Sequence, residues 1–146
     1  MIYTIRQMHT LKDLQKYKSF FMRIGQELTN DDTYPEFKNF SKMNLPNYAE
    51  TGRFMMSFYG EEPVGLMLSR LSRSIFDRDI VILKQDLLYA KPNTRAAHCL
   101  FHDFLDFGKN HADHIITMIA ERTNVKRQSL ERLGFKKMEE LYRIEV

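Results

Sequence analysis

The stretch that decides the fold is residues 86–98, which read DLLYAKPNTRAAH. Asp86 to Ala90 is a short apolar run typical of a buried strand, and Lys91-Pro92 ends it. Beyond Pro92 the apolar period changes to 3.6, and one helical face is formed by Ala97, Leu100, Phe101, Phe104, Leu105 and Gly108. The stretch therefore predicts a strand that leads through a short loop into an amphipathic helix starting near Thr94.

Toward the N-terminus the sequence predicts one strand and then a long helix. Residues 2–6 alternate apolar and polar side chains, which is typical of a strand. Thr10 and Asp13 form a capping-box pattern at the start of the helix. Its apolar residues recur at helical spacing as Leu11, Leu14, Tyr17, Phe21, Ile24 and Leu28. Residues 29–52 are irregular, and one or two brief helices are predicted there, such as Pro35 to Phe40 and Pro46 to Thr51.

The rest of the chain predicts further strands and a closing helix. The strands are Arg53 to Tyr59, Val64 to Leu71, one strand made of Ile80 to Leu83 and then Asp86 to Ala90, His114 to Ile119, and Met138 to Glu145. Gly134 is a favourable residue for ending a helix from Asn124 to Leu133. The predicted order is β-α-α-β-β-β-α-β-α-β, which is typical of one α/β domain, residues 1–146, with a mixed sheet.

Composition narrows the class of protein without naming a function. Apolar residues make up 43% of the 146, enough for the core of one domain. Charges interrupt every apolar run before the roughly 20 residues of a membrane span, and the N-terminus lacks the apolar segment of a secretory signal. The single Cys99 favours a reducing compartment such as the cytoplasm. A net charge of +3 and a pI of about 9.0 suit anionic ligands.

Three segments of distinctive sequence follow one another along the chain. They are Met55 to Gly65, a hairpin with a Val-Gly pair; Leu88 to Arg95, a strand exit with a small residue and a proline before the next loop; and Leu130 to Phe135, a short helix ending in Leu-Gly-Phe. In this order they resemble the GCN5-related N-acetyltransferase (GNAT) superfamily. The resemblance implies a mixed, mostly antiparallel central sheet flanked by helices. It also implies transfer of an acetyl group from acetyl-CoA, the co-substrate, to an amine.

The resemblance further implies that acetyl-CoA lies between two parallel strands that splay apart. The pantetheine arm would follow the backbone of Leu88, Tyr89 and Ala90. The pyrophosphate would sit on the first amides of the next helix, where the helix dipole favours anions, and these amides belong to Arg95, Ala96, Ala97 and His98. In the last helix Asn124 stands beside the place of a family asparagine, and Arg127 would face the 3′-phosphate.

The phosphate loop of this chain differs from the family motif because it contains no glycine. If Arg95 takes the first motif position, His98 and Leu100 replace the two small residues. If Asn93 takes it, Ala96 and His98 stand there instead, which fits the helix periodicity better. Larger side chains at these positions oppose a close approach of the backbone to phosphate.

Two carboxylates are candidates for the general base that takes a proton from the amine. Asp86 lies on the central strand and Glu121 follows the fifth strand, and each also fits a solvated or paired carboxylate. Leu130 stands where many family members have the tyrosine that protonates the leaving thiolate. No metal site is predicted: the histidine-rich helix face has its third polar group two turns from the first.

Two functions stay open from the sequence. The first is an acetyl-CoA-dependent N-acetyltransferase whose acceptor amine belongs to a small molecule, a protein or an aminoacyl-RNA. The second is a non-catalytic binding or structural protein on the same scaffold, a class with phage-encoded members, because a fold alone does not determine activity. It would bind a protein, with nucleic acid a weaker alternative because acidic residues dilute the basic clusters. A monomer and a homodimer are both compatible with the sequence.

Overall fold

The strands form one sheet with helices on both of its faces. The computed structural model describes residues 2–28, 45–118, 126–139, 142–144 and 146. The strands are β1 (Tyr3–Met8), β2 (Arg53–Tyr59), β3 (Glu62–Arg73), β4 (Val81–Ala90) and β5 (His114–Ile116). The helices are α1 (Leu11–Gln15), α2 (Lys18–Glu27), α3 (Leu45–Thr51), α4 (Ala96–His111) and α5 (Arg127–Arg132). None of these helices is both long enough and apolar enough to cross a lipid bilayer.

The sheet is mixed and mostly antiparallel, as predicted. Its strands lie in the order β1-β2-β3-β4-β5, and the first three pairs are antiparallel. β4 and β5 are parallel, since α4 carries the chain from the end of β4 back to the start of β5. This topology places the start of α4 directly beyond the end of β4.

Two apolar cores lie on opposite faces of the sheet. The core beside α1, α2 and α3 contains Phe21, Ile24, Phe54 and Phe58 among others. The core beside α4 contains Met55, Met67, Leu100 and Phe104 among others. Consecutive residues of β2 enter different cores because successive side chains of a strand alternate between faces. The Met-rich and Phe-rich run of β2 is therefore core on both sides of the sheet.

The first helix is not the single helix that the apolar spacing predicts. Thr10 and Asp13 form both bonds of the capping box, as predicted. The helix stops after Gln15, and α2 begins beyond Tyr17, whose φ of −114° is not helical. The Tyr17 ring lies 5.2 Å from the Phe58 ring, so packing on the sheet overrides the continuous helical pattern. The predicted brief helix at residues 46–51 is confirmed as α3, and the one at 35–40 lies outside the described residues.

Two strand predictions differ from the structure. The apolar segments at residues 80–83 and 86–90 do form one strand, β4, as the predicted order has it, because β3 pairs with it along its length. β5 ends at Ile116, and residue 119 lies outside the described residues. The predicted last strand is wrong over its described residues, 138–139 and 142–144, which are not in a strand. Met138 is 70% exposed and Ile144 is 84% exposed, and apolar side chains stabilise a strand only where they pack.

Candidate active site

β4 and β5 pair over a short distance and then part. Their parallel register joins Ile82 to His114, Leu83 to Ile115 and Lys84 to Ile116. From Gln85 to Ala90, β4 pairs with β3 and with no other described strand. Among the described residues, no strand covers this edge of the β4 backbone, so its peptide groups can bond an extended ligand in place of a strand. We call this opening between β4 and β5 the slot.

Asp86 lies in a β-bulge beside the slot. β3 pairs Ser69 with Gln85 and Leu68 with Leu87, so Asp86 has no residue opposite it. A bulge bends its strand and redirects a side chain, and bulges are common next to active sites. The Asp86 side chain is 20% exposed and reaches toward α3, on the sheet face opposite α4.

Tyr48 and Arg70 both donate hydrogen bonds to Oδ2 of Asp86. Arg70 Nε lies 2.9 Å from this oxygen, and the Tyr48 hydroxyl bonds to it from α3. Burial, and then the bond to Asp86, raises the pKa of Tyr48 well above its ordinary value, so the hydroxyl remains a donor. The hydrogen bond to the carboxylate raises the pKa of Arg70 as well. The sequence offers no motif for either contact, since Tyr48 and Arg70 belong to other elements.

The β4 residues that would follow a pantetheine arm have their side chains anchored in the two cores. Leu88 packs in the core beside α4, and Tyr89 packs in the core beside α2. The Tyr89 hydroxyl donates to Glu27, and burial together with this bond raises the pKa of Tyr89. Ala90 pairs with Gly65 of β3. Because these side chains are held in place, only the β4 backbone is presented to the slot.

The start of α4 follows the slot, and two of its first amides already have partners. The Arg95 N–H donates to the Tyr3 hydroxyl at 3.0 Å, and the Ala96 N–H donates to Thr94 Oγ1 at 3.4 Å. The helix has no side-chain cap, so Ala97 and His98 hold the early amides that remain for an anion. The loop before the helix turns at Asn93, whose φ is +59°. Of the four amides predicted to meet the pyrophosphate, the described geometry thus leaves those of Ala97 and His98 free to bind an anion.

A glycine of β3 allows a close approach of α4 to the sheet. A Cβ at Gly65 would lie 2.8 Å from Ser57 Oγ, 2.9 Å from the Tyr89 carbonyl oxygen and 3.0 Å from the Ala96 Cβ. Gly65 and the fully buried Ala96 therefore let the start of α4 press against β3 beside the end of β4. The sequence carries this signal in its Val-Gly pair.

Two of the three histidines of α4 form an exposed pair of rings. His98 and His102 lie one turn apart with ring centroids 4.3 Å from each other. Partial burial, followed by the charges of His102 and Arg95, lowers the pKa of His98, so the imidazole favours its neutral form. Within residues 2–28, 45–118, 126–139, 142–144 and 146, no three His, Cys, Asp or Glu side chains are grouped to hold a metal ion.

Two of the predicted site residues, Glu121 and Asn124, lie outside the described residues. Arg127 is exposed at the first turn of α5 and forms an ion pair with Glu131 at 3.2 Å. At the other end of α5, Gly134 has a φ of +94° and the Phe135 N–H donates to the Leu130 carbonyl, which confirms the predicted helix end. The structure thus brings Asp86, Leu88 to Ala90 and the start of α4 around one slot.

Comparisons with known proteins find the same fold at low sequence identity. No protein-family model and no curated protein matches the sequence. The chain is similar to ribosomal-protein-alanine N-acetyltransferase from Brucella melitensis biovar Abortus 2308, with 12% identity, a TM-score of 0.68 and 100% coverage of both chains. It is similar to AAC(6')-Iy, solved with the bisubstrate analog CoA-S-monomethyl-acetylneamine, with 12% identity, a TM-score of 0.62 and 100% coverage of both chains.

A third similar structure is described as a regulator and not as an acetyltransferase. It is a transcriptional regulator from Bacillus halodurans C-125, with 15% identity, a TM-score of 0.64, and coverage of 99% of this chain and 100% of that one. At these identities the likeness establishes the architecture and leaves the activity to the site. The chain has the GNAT fold.

Proposed function

We propose that this chain is an acetyl-CoA-dependent N-acetyltransferase. The observation that carries the proposal is the open edge of β4, which runs from the bulged Asp86 to the start of α4. An extended thioester ligand laid along this edge would have its acyl end near Asp86 and its anionic end at a helix N-terminus. Both ends of the slot therefore suit the chemistry of acetyl-CoA.

The backbone of β4 would bind the pantetheine amides, and the anchored Leu88 and Tyr89 would keep that backbone in place. The amides of Ala97 and His98 would hold the pyrophosphate, without those of Arg95 and Ala96, which already have protein partners. Gly65 supports this arrangement because it lets α4 begin close to the strand edge. Arg127 would meet the 3′-phosphate from α5.

Asp86 would take the proton from the amine. As the amine nitrogen bonds to the acetyl carbon, the carbon–sulfur bond breaks and the amine proton passes to Asp86. The thiolate leaves with the electron pair of that bond, and water then carries the proton from Asp86 to the thiolate. Tyr48 and Arg70 both bond Oδ2, so they would orient the carboxylate with Oδ1 toward the acceptor. Glu121 remains the second candidate for the base.

The acceptor would be an amine of a small molecule, a protein or an aminoacyl-RNA, and the reaction would take place in the cytoplasm. Arg70 beside Asp86 disfavours a second cation at that point, so the amine would have to reach Asp86 in competition with the guanidinium. A homodimer is compatible with this scheme and is not required by it.

A non-catalytic binding protein is the second candidate. Two observations favour it: Asp86 is already engaged by an ion pair, and the amides of Arg95 and Ala96 already have protein partners. Both features reduce the number of groups free to act on acetyl-CoA. Such a protein would bind a protein partner and would not release a thiol from acetyl-CoA.

Calorimetric titration with acetyl-CoA, followed by an assay of thiol release with a panel of amines, distinguishes the two candidates. The enzyme proposal expects a micromolar affinity and thiol release that depends on the amine. Asp86→Asn keeps a side chain that accepts from Tyr48 and Arg70 but removes the base, so kcat should fall about 10²- to 10⁴-fold while acetyl-CoA affinity is kept. Absence of binding heat and of thermal stabilisation at millimolar acetyl-CoA would refute the enzyme proposal.

A further inference from the structure

The parallel pairing of β4 and β5 has a hydrogen bond to a side chain at each end. At its first end the Val81 N–H donates to the Asp113 carboxylate and the Asp113 N–H donates to the Val81 carbonyl, both at 2.8 Å. At its other end the Thr117 hydroxyl donates to Gln85 Oε1 at 2.6 Å. The three residue pairs of the β4–β5 register lie between these contacts.

Gln85 and Thr117 stand at the next position of the β4–β5 register. The last paired residues are Lys84 and Ile116, so a continued ladder would pair Gln85 with Thr117. At this position a bond between side chains replaces the backbone pairing. A ladder would hold the backbones about 4.8 Å apart, whereas a glutamine side chain can bond a hydroxyl across a wider gap. The slot begins at this pair of residues.

The environment of Gln85 makes this bond energetically important. Gln85 is 4% exposed, and its register partner on β3, Ser69, is 1% exposed. A buried amide that loses its partner costs far more free energy than an ordinary hydrogen bond contributes, so the Thr117 contact is strongly favoured. The bulged Asp86 follows at once, which places the bond and the bulge side by side at the closed end of the slot.

We propose that Gln85 and Thr117 are a positioning pair that fixes the point at which β4 and β5 part. Their bond lies just beyond the last ladder pair and one residue before Asp86. It therefore sets how far an acyl group can enter the slot. The pair touches neither the amine nor the thioester and acts through the spacing of the two strands. The consequence for acetyl-CoA rests on the proposed function, whereas the consequence for the strands does not.

Two variants separate this positioning role from ordinary stabilisation. Thr117→Val leaves the buried Gln85 amide without its partner and should lower Tm by about 3–6 °C. The double variant Gln85→Met/Thr117→Val removes both polar groups and should restore Tm to within about 2 °C of the wild type. In the double variant the backbones can pair at this register position, so the ladder should lengthen.

Amide hydrogen exchange of the unliganded protein measures the length of the ladder. In the double variant, exchange at residues 85–87 and 117–118 should slow about tenfold or more relative to the wild type. Ser69→Ala is the matched control: Ser69 lies in the same buried row, and its Oγ has no hydrogen-bond partner among the described residues. The control should leave exchange at these amides unchanged. Unchanged or faster exchange in the double variant would overturn the proposal.

Acetyl-CoA affinity supplies the second measurement. The double variant should bind acetyl-CoA about tenfold more weakly than the wild type despite its restored Tm, and Ser69→Ala should bind within about twofold. Wild-type affinity in a double variant whose ladder has lengthened would refute the link to the slot. If the wild type binds no acetyl-CoA, the proposed function fails, and the exchange rates still decide whether the pair sets the strand spacing.

Discussion

Single residues determine how near the start of α4 can come to the sheet. Gly65 and Ala96 are small where β3 meets the start of α4, and the atoms around Gly65 leave no room for a side chain. The bulge in β4 redirects the side chain of Asp86, and Tyr48 and Arg70 both donate hydrogen bonds to its Oδ2. The properties of the site thus depend on very few atoms, and small substitutions test them.

Gly65→Ala should destabilise the fold and weaken acetyl-CoA binding together. Its Cβ would lie 2.9 Å from a carbonyl oxygen of β4, which is backbone and cannot move away cheaply. Overpacking of this kind typically costs about 1–3 kcal/mol of the free energy of unfolding. Urea denaturation measures the loss, and calorimetry measures the affinity. Stability and affinity equal to those of the wild type would show that α4 does not depend on this contact.

At the scale of the elements, the first turn of α4 determines which sign of charge the site favours. Its dipole and its remaining free amides favour an anion, and the chain supplies no side-chain cap there. His98 belongs to this turn, while His102 lies one turn further along the same exposed face, with its ring beside that of His98. The two positions form a matched pair for testing where an anion binds.

His98→Glu should weaken acetyl-CoA binding about tenfold, because it places a negative charge beside the amides proposed to hold the pyrophosphate. His102→Glu adds the same charge about 5–6 Å further from the helix start and should weaken binding less than threefold. Calorimetry at constant, low ionic strength measures both affinities. Equal losses in the two variants would contradict a pyrophosphate site at this helix start.

At the scale of the whole molecule, one ion pair ties α4 to the start of β2. Arg53 Nη2 lies 2.7 Å from Asp103 Oδ2, and the Arg53 guanidinium carbon lies 4.2 Å from the centre of the Phe107 ring. The Arg53 side chain is only 12% exposed. This contact holds the middle of α4 against the sheet, whereas Gly65 and Ala96 set the position of its start.

Arg53→Met should lower the free energy of unfolding by about 2 kcal/mol, between the values typical of surface and fully buried ion pairs. The cause is the unpaired Asp103 carboxylate together with the lost contact on Phe107. Glu61→Gln is the control, since it removes an ion pair with Arg6 in which Glu61 is 87% exposed, and it should change stability by less than about 0.5 kcal/mol. Equal effects in the two variants under urea denaturation would argue against a structural role for the Arg53 pair.

Local patterns in the sequence were sufficient for the elements that local interactions stabilise. The capping box at Thr10 and Asp13, the glycine end of α5 and the strand-to-helix transition after Ala90 are all confirmed. Sequence patterns did not predict the structure correctly where packing against other elements determines it. The break before α2 follows from the contact of Tyr17 with the sheet, and the predicted strand at residues 138–145 has exposed apolar side chains in its described part.

The sequence by itself determined the α/β class, the mixed sheet and the candidacy of Asp86, because hydrophobic period, turn residues and family motifs are local. Only the tertiary structure decided what surrounds Asp86. Tyr48 and Arg70 meet it from other elements, Gln85 meets Thr117 where two strands part, and Gly65 lets the start of α4 pack closely on β3. These contacts join residues distant along the chain, and only folding brings them within bonding distance.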